Sequence, residues 1–269
     1  MIRSIGIVAL NVFRESVRDK VLYNLVFFAI VLMAASYLIG QLTAGQDVKI
    51  IKDLGLAATS VFGLFIAVFI GIGLVSKEVE KRSIYSLLAK PIERHHIVIG
   101  KYLGLVLTLA VNLVVMAVAL YAVLGMMLLL STAAAASVWE RPALDPQMLK
   151  AFLLTFCELS IVTAIAVFFS TFSTPILSAA FTFALFVAGR FSADLRDFNQ
   201  VITSPIANAL TTALYWVLPN LSPFDVRAQV VHGLPVTSGY IALSVAYTGL
   251  YVTALIIAAA TIFSRRDFK

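Results

Sequence analysis

The sequence predicts an all-α polytopic membrane protein, and three observations predict it. Of its residues 61% are hydrophobic and only 13% charged, against roughly 45–50% apolar and about 25% charged in a soluble domain. Mean hydropathy is +0.99. Long uncharged stretches also alternate with short charged ones. A bilayer core about 30 Å thick requires about 20 apolar residues in a helix, because each rises about 1.5 Å and no backbone group can stay unpaired in hydrocarbon. Six spans are expected on this basis.

The chain opens with an amphipathic helix over residues 1–20. Ile2, Ile5, Ala9, Val12, Phe13 and Val17 recur at three- and four-residue spacing, while Arg3, Asn11, Arg14, Arg18 and Asp19 take other faces. Bases run through the segment to Lys20, with no small-residue cleavage site close behind the apolar run, so it is not read as a signal peptide. It is expected to lie in the interface, as an anchor for the first span or as a contact for a cytoplasmic partner.

The expected spans are 22–40, 54–76, 103–130, 151–170, 175–189 and 240–263. The first two contain no acid or base. The third is long enough to cross with tilt or to project beyond the membrane. The run from Ala151 to Gly189 is too long for one crossing, and Thr171-Phe172-Ser173-Thr174-Pro175 interrupts it. Proline lacks an amide donor and restricts the residue before it, so two helices joined by a tight turn are predicted. Residues 201–218 are apolar, but Pro205 breaks their start and Pro219-Asn220 closes them. A seventh crossing would place the Arg265-Arg266 end outside. A re-entrant or surface-lying external helix is therefore expected, with Tyr215 and Trp216 at headgroup depth.

Positive residues near span ends are retained in the cytoplasm. Placing both termini inside collects Arg3, Arg14, Arg18, Lys20, the six bases between Lys77 and Lys101, Arg265, Arg266 and Lys269. The other side keeps Lys49, Lys52, Arg141, Lys150, Arg190, Arg196 and Arg227. The net charge of +6 is then a property of the cytoplasmic membrane face beside anionic lipid, and nucleic acid is not an expected partner.

Catalytic motifs are missing from the sequence. Gly71-Ile72-Gly73-Leu74-Val75-Ser76-Lys77 has neither the spacing nor the strand context of a phosphate-cradling loop, so no ATP hydrolysis by this chain is expected. His95, His96 and His232 have no cysteine pair or acidic cluster at ligand spacing, and adjacent histidines diverge by about 100° on a helix. No metal site is expected. Cys157, the lone cysteine, cannot close an intrachain disulfide and reads as a small core residue. Glu158 is the ionisable residue deep in a predicted span. A lone membrane carboxylate either serves a pathway or assembly role beside a polar neighbour such as Asn112 or Thr163, or is a water-exposed structural residue.

The most informative segment is the charged loop between the second and third spans, residues 77–96, leading into the third span. A helix from Glu80 to Pro91 would place Ile84, Leu87 and Leu88 on one face behind Lys77, Glu78, Lys81 and Arg82. Amphipathic helices laid into grooves are a recurrent mode of partner recognition. Its pattern of two acids, Leu-Leu, Pro, Arg and Gly-Lys is carried by Glu78, Glu80, Leu87, Leu88, Pro91, Arg94, Gly100 and Lys101. That pattern resembles the membrane subunit of type 2 ABC transporters. Ser83-Ile84 stands where many members have Gly-Thr. The amphipathic start, Leu218-Pro219-Asn220-Leu221 before the final span, and the Arg-Arg-Asp ending add to the likeness, which is nearest to the NosY-like branch associated with multicopper-enzyme maturation.

The resemblance implies a half-transporter in a bacterial inner membrane, an exporter being the expectation. Two copies of the chain, or one with a homologous permease, would pair with separate ATPase subunits that bind ATP and Mg. The loop would be a coupling helix, docking through Glu78, Glu80, Lys81, Arg82, Ile84, Leu87, Leu88, Pro91, Arg94, Gly100 and Lys101. Thr171, Ser173, Thr174 and Pro175 would form a second cytoplasmic contact. Gly55, Ala58, Gly63, Ala67, Gly71 and Gly73 would serve either close approach between subunits or packing within one. Six methionines without a spaced Met-rich or Cys-rich path give no support to copper passage. The alternative is a membrane scaffold that recruits a soluble partner without transport. A secondary transporter is disfavoured by the scarcity of buried charges.

Overall fold

A computed structural model describes residues 2–41, 46–80, 94–131, 139, 142–192 and 218–265, with side chains excepted at 2–3, 73–80 and 94. Helix α1 covers Ile2–Ser16 and α2 Lys20–Gly40. Between them the Asp19 carboxylate accepts a hydrogen bond from the Val21 amide at 2.9 Å, the N-cap that starts the second helix. Helix α3 runs Asp47–Glu80, α4 Arg94–Leu130, α5 Gln147–Ser170 and α6 Pro175–Arg190. A short 3-10 turn at Ser222–Phe224 and helix α7, Arg227–Val231, precede α8, Ser238–Arg265. Gly233, at φ 68°, ends α7 in the left-handed conformation that glycine adopts without steric cost.

Five of these helices are long and apolar enough to cross a membrane: α2, α3, α4, α5 and α8. The sixth expected span is α6, whose 16 residues rise only about 24 Å, short of a bilayer core of about 30 Å. The paired-helix reading of 151–189 otherwise matches: α5 stops at Ser170, a turn occupies 171–174, and Pro175 opens α6. Of the expected 201–218 helix only Leu218 lies among the described residues, and it is buried outside any helix.

Helices α3 and α5 form the centre of the bundle. Helix α2 packs on α3, α1 on α4, α6 on α5 and α3, and α8 on α5 and α4. The outward faces of α2 and α8 carry Phe27, Phe28, Leu243, Leu250 and Ile257, all largely exposed, as lipid-facing positions should be. Between membrane helices there is little hydrophobic driving force, so close packing of small residues decides which helices meet. A Cβ added at Gly63 would meet Leu159 at 2.5 Å, and one at Gly71 would meet Ala166 at 2.8 Å; Gly55 faces Leu120 just as tightly. The glycines of α3 thus receive side chains of α4 and α5 of the same chain. Of the two roles open to them, these three serve intrachain packing.

Four buried threonine hydroxyls find acceptors on their own helix one turn back. Thr59 donates to the Gly55 carbonyl, Thr108 to Gly104, Thr163 to Leu159 and Thr248 to Ser244. Hydroxyls can therefore sit at membrane depth without stranding a donor.

Candidate functional site

Glu158 sits mid-way along α5 and is 1% exposed. Its partner is Arg190, not Asn112 or Thr163 as the sequence suggested. Arg190 Nε lies 2.8 Å from Oε1, and Nη2 donates to Oε2 at 3.1 Å. Asn112 donates to the Thr108 carbonyl of its own helix, and Thr163 is satisfied as described above. Hairpin geometry explains the meeting. Glu158 lies twelve residues before Ser170 and Arg190 fifteen after Pro175, so the two arms return the guanidinium to within about one turn of the carboxylate.

Arg190 also donates through Nη1 to Asp225 Oδ2 and through Nη2 to Ser60 Oγ at 3.2 Å. Its plane lies against the Phe186 ring, 5.6 Å from the centroid. One guanidinium thus binds α5, α3 and the segment that precedes α7. A second bridge nearby joins Arg227 Nε to Asp53 Oδ1 at 3.2 Å, with both side chains substantially exposed.

Glu158, Arg190, Asp225 and Arg227 line an open cavity of about 240 Å³. Its α3 wall presents Leu56, Ser60, Val61 and Leu64, its α5 wall Ala151, Thr155 and Glu158, and its far wall Phe186, Arg190 and residues 224–227. The far wall is fixed to α6 by backbone as well as by charge. The Leu221 amide donates to the Gly189 carbonyl at 3.0 Å, and Ser192 Oγ donates to Asn220 Oδ1 at 2.9 Å. Asn220 donates its own amide to the Tyr247 hydroxyl of α8. Gly189 is required here, since a Cβ would come within 2.6 Å of the Pro219 carbonyl oxygen. The Leu218-Pro219-Asn220-Leu221 motif therefore packs against the end of α6 with the Asn220 and Leu221 amides both paired.

The same end of the bundle holds a fully buried cation. Lys52 is 1% exposed, donates to the Pro142 carbonyl at 2.8 Å and stands 3.9 Å from Asp145 Oδ2. Tyr121 donates to the Asp145 carbonyl and Lys150 to that of Val236. Two bases assigned by sequence to an external water face are thus structural members of the bundle end.

At the opposite end, the coupling segment divides. Lys77–Glu80, with Glu78 and Glu80, continues α3, and Arg94 begins α4, so both ends of the predicted loop belong to the flanking helices. Lys81, Arg82, Ile84, Leu87, Leu88 and Pro91 lie outside the described residues. Gly100 and Lys101 are buried, not displayed. A Cβ at Gly100 would meet Val8 at 2.7 Å, and one at Gly104 would meet Val12 at 2.7 Å. Gly100 and Gly104 form the groove in which α1 rests on α4, a small-xxx-small pair that the coupling-motif reading passed over. In the 171–174 turn, Thr171 is buried and donates to Phe168, Ser173 is half-buried, and Thr174 and Pro175 are exposed.

The fold and cavity define a multi-pass membrane protein whose bundle encloses a charged site. A family model described as ABC-2 family transporter protein matches residues 7–268, and the chain belongs to that family. It is the membrane permease component of an ABC transporter, a class that works with an ABC ATPase. A comparison with curated proteins gave no match.

Proposed function

We propose that the chain is the membrane half of an ATP-driven exporter, paired with a second permease copy and moved by separate ATPase subunits through residues 77–96. The observation that carries this reading is the length of two helices. With 34 and 37 residues, α3 and α4 span about 50 and 55 Å, well beyond a hydrocarbon core of about 30 Å. They carry the segment between them past the membrane face on rigid arms. Helix α3, which runs unbroken from that segment to the cavity wall, is suited to hinge or shear coupling.

In this reading both termini and residues 77–96 are cytoplasmic, in a bacterial inner membrane. Residues 175–189, within α6, make the remaining pass of the six, and 201–218 form a re-entrant or surface element. Glu78, Glu80, Lys81, Arg82, Ile84, Leu87, Leu88, Pro91 and Arg94 dock the ATPase. Gly100 and Lys101 act indirectly, by seating α1 against the arm. Thr174 and Pro175 offer the second contact. Within the family, the layout of these motifs favours the NosY-like branch.

The test is Leu87→Asp with Leu88→Asp. Placing carboxylates in an apolar groove should cost roughly 2–5 kcal/mol, so the double variant should fold and lose its co-purifying ATPase. Unchanged ATPase binding would show that the coupling assignment is wrong, and capture of a partner that does not bind nucleotide would favour a scaffold.

A further inference from the structure

The cavity lies on a seam. One side is the α3–α5 wall; the other is the end of α6 with residues 218–227, which the Leu221–Gly189, Ser192–Asn220 and Arg190–Asp225 contacts hold together as a unit. The ion pairs that bridge the seam have a fixed polarity. The α3–α5 wall contributes the carboxylates Asp53 and Glu158, and the α6 side the guanidiniums Arg227 and Arg190.

That polarity decides what a separated seam would hold. Arg190 leaves with Asp225 as its counter-charge. Glu158 leaves with none among the described residues, although it is 1% exposed in a wall whose other lining residues are uncharged. A buried charge stripped of its partner is costly. Among the charged groups the penalty for opening therefore falls on Glu158, and whatever enters is selected for a positive group that replaces the guanidinium. Around it, Leu56, Val61, Leu64 and Phe186 offer apolar surface for the rest of the molecule. Phe186 stays with Arg190 on the α6 side and keeps its ring against the guanidinium. An anion gains less, because Asp225 already neutralises the guanidinium it would seek.

We propose that this seam is a binding site for an amphipathic organic cation, whose ammonium or similar group takes the place of Arg190 at Glu158. The proposal rests on the permease reading and adds a substrate class to it. The full chain in lipid nanodiscs is titrated with tetraphenylphosphonium and with tetraphenylborate, ions of similar size and opposite charge, and binding to empty nanodiscs is subtracted. Saturable cation binding at least about tenfold tighter than anion binding is expected, with Glu158→Gln losing at least about tenfold in cation affinity.

A second variant guards against loss of fold. Asp53→Cys with Arg227→Cys, on a Cys157→Ala background, is bridged by a short bifunctional thiosulfonate that pins the seam; cation binding should vanish and return on reduction. Equal affinity for the two ions overturns the proposal. So does unchanged cation affinity in folded Glu158→Gln, or full binding by the bridged chain. None of these measurements involves an ATPase, so failure here and failure of the Leu87/Leu88 experiment are separate results.

Discussion

Arg190 holds Glu158 through two nitrogens, Nε at 2.8 Å from Oε1 and Nη2 at 3.1 Å from Oε2, and the same guanidinium reaches Asp225. The three groups differ in exposure: the Glu158 side chain is 1% exposed, Arg190 22% and Asp225 38%. This gradient makes the partners unequal under mutation.

Arg190→Met strands the most buried charge and should destabilise the chain by about 3–5 kcal/mol. Glu158→Leu should cost less, because Arg190 keeps Asp225. The double variant should be more stable than Arg190→Met alone, since it removes the stranded charge. Thermal unfolding in detergent measures all three. Equal losses for the two single variants, adding in the double, would show that the pair is not a unit.

Gly104→Leu should dislodge α1, since even a Cβ there meets Val12 at 2.7 Å and nears the Ala9 carbonyl. Gly6 has nothing within 4 Å of a built Cβ, so Gly6→Leu serves as the control. A cysteine at Val12, 5% exposed in the native packing, should become reactive to thiol reagents in the first background and stay protected in the second.

Lys52→Met should loosen the 142–146 connection by about 1–3 kcal/mol, because the Pro142 carbonyl and Asp145 lose their buried partner. Hydrogen exchange over residues 142–150 should rise, while that of α8 stays unchanged. Faster exchange throughout the bundle would instead make Lys52 a global support.

Cysteine labelling fixes the orientation. In a Cys157→Ala chain, cysteine at the exposed Gln229 should react with impermeant reagents from outside. Cysteines at Glu80 and Asp267 should react only after permeabilisation. External labelling at Asp267 would mean an odd number of crossings.

Helix positions were legible in the sequence where the physics is local. Apolar length marked α2, α3, α4, α5 and α8, and Pro175 marked the turn between α5 and α6. Helix ends were less so, because α3 and α4 run on through charged residues that hydropathy treats as loop, Asp47–Asp53 and Lys77–Glu80 in α3 and Arg94–Lys101 in α4. Glu158 was found as an isolated acid, but its partner was missed. Arg190 was assigned to a water face on charge alone, whereas counting outward from the 171–174 turn would have brought it opposite Glu158. Asp225, Asp53 and Arg227 are joined by tertiary packing over long sequence separations, which no local pattern encodes. Gly100 and Gly104 were visible as a pair and overlooked because Gly100 had been absorbed into a different motif.

The shortness of α6 has a consequence for biogenesis. An arginine at the end of a 16-residue apolar helix makes that helix a poor candidate to partition into lipid alone, since a mid-membrane arginine costs about 2.5–3.5 kcal/mol during insertion. Glu158 carries the reciprocal liability in α5. Each cancels the other only when both arms are present, so the prediction is that α5 and α6 leave the insertion machinery together as one hairpin. Glycosylation mapping of chains truncated before and after Arg190 would measure it, and complete integration of α6 fused alone behind a neutral linker would refute it. The pair that closes the cavity in the mature protein would then be made first as the condition for its two helices entering the membrane.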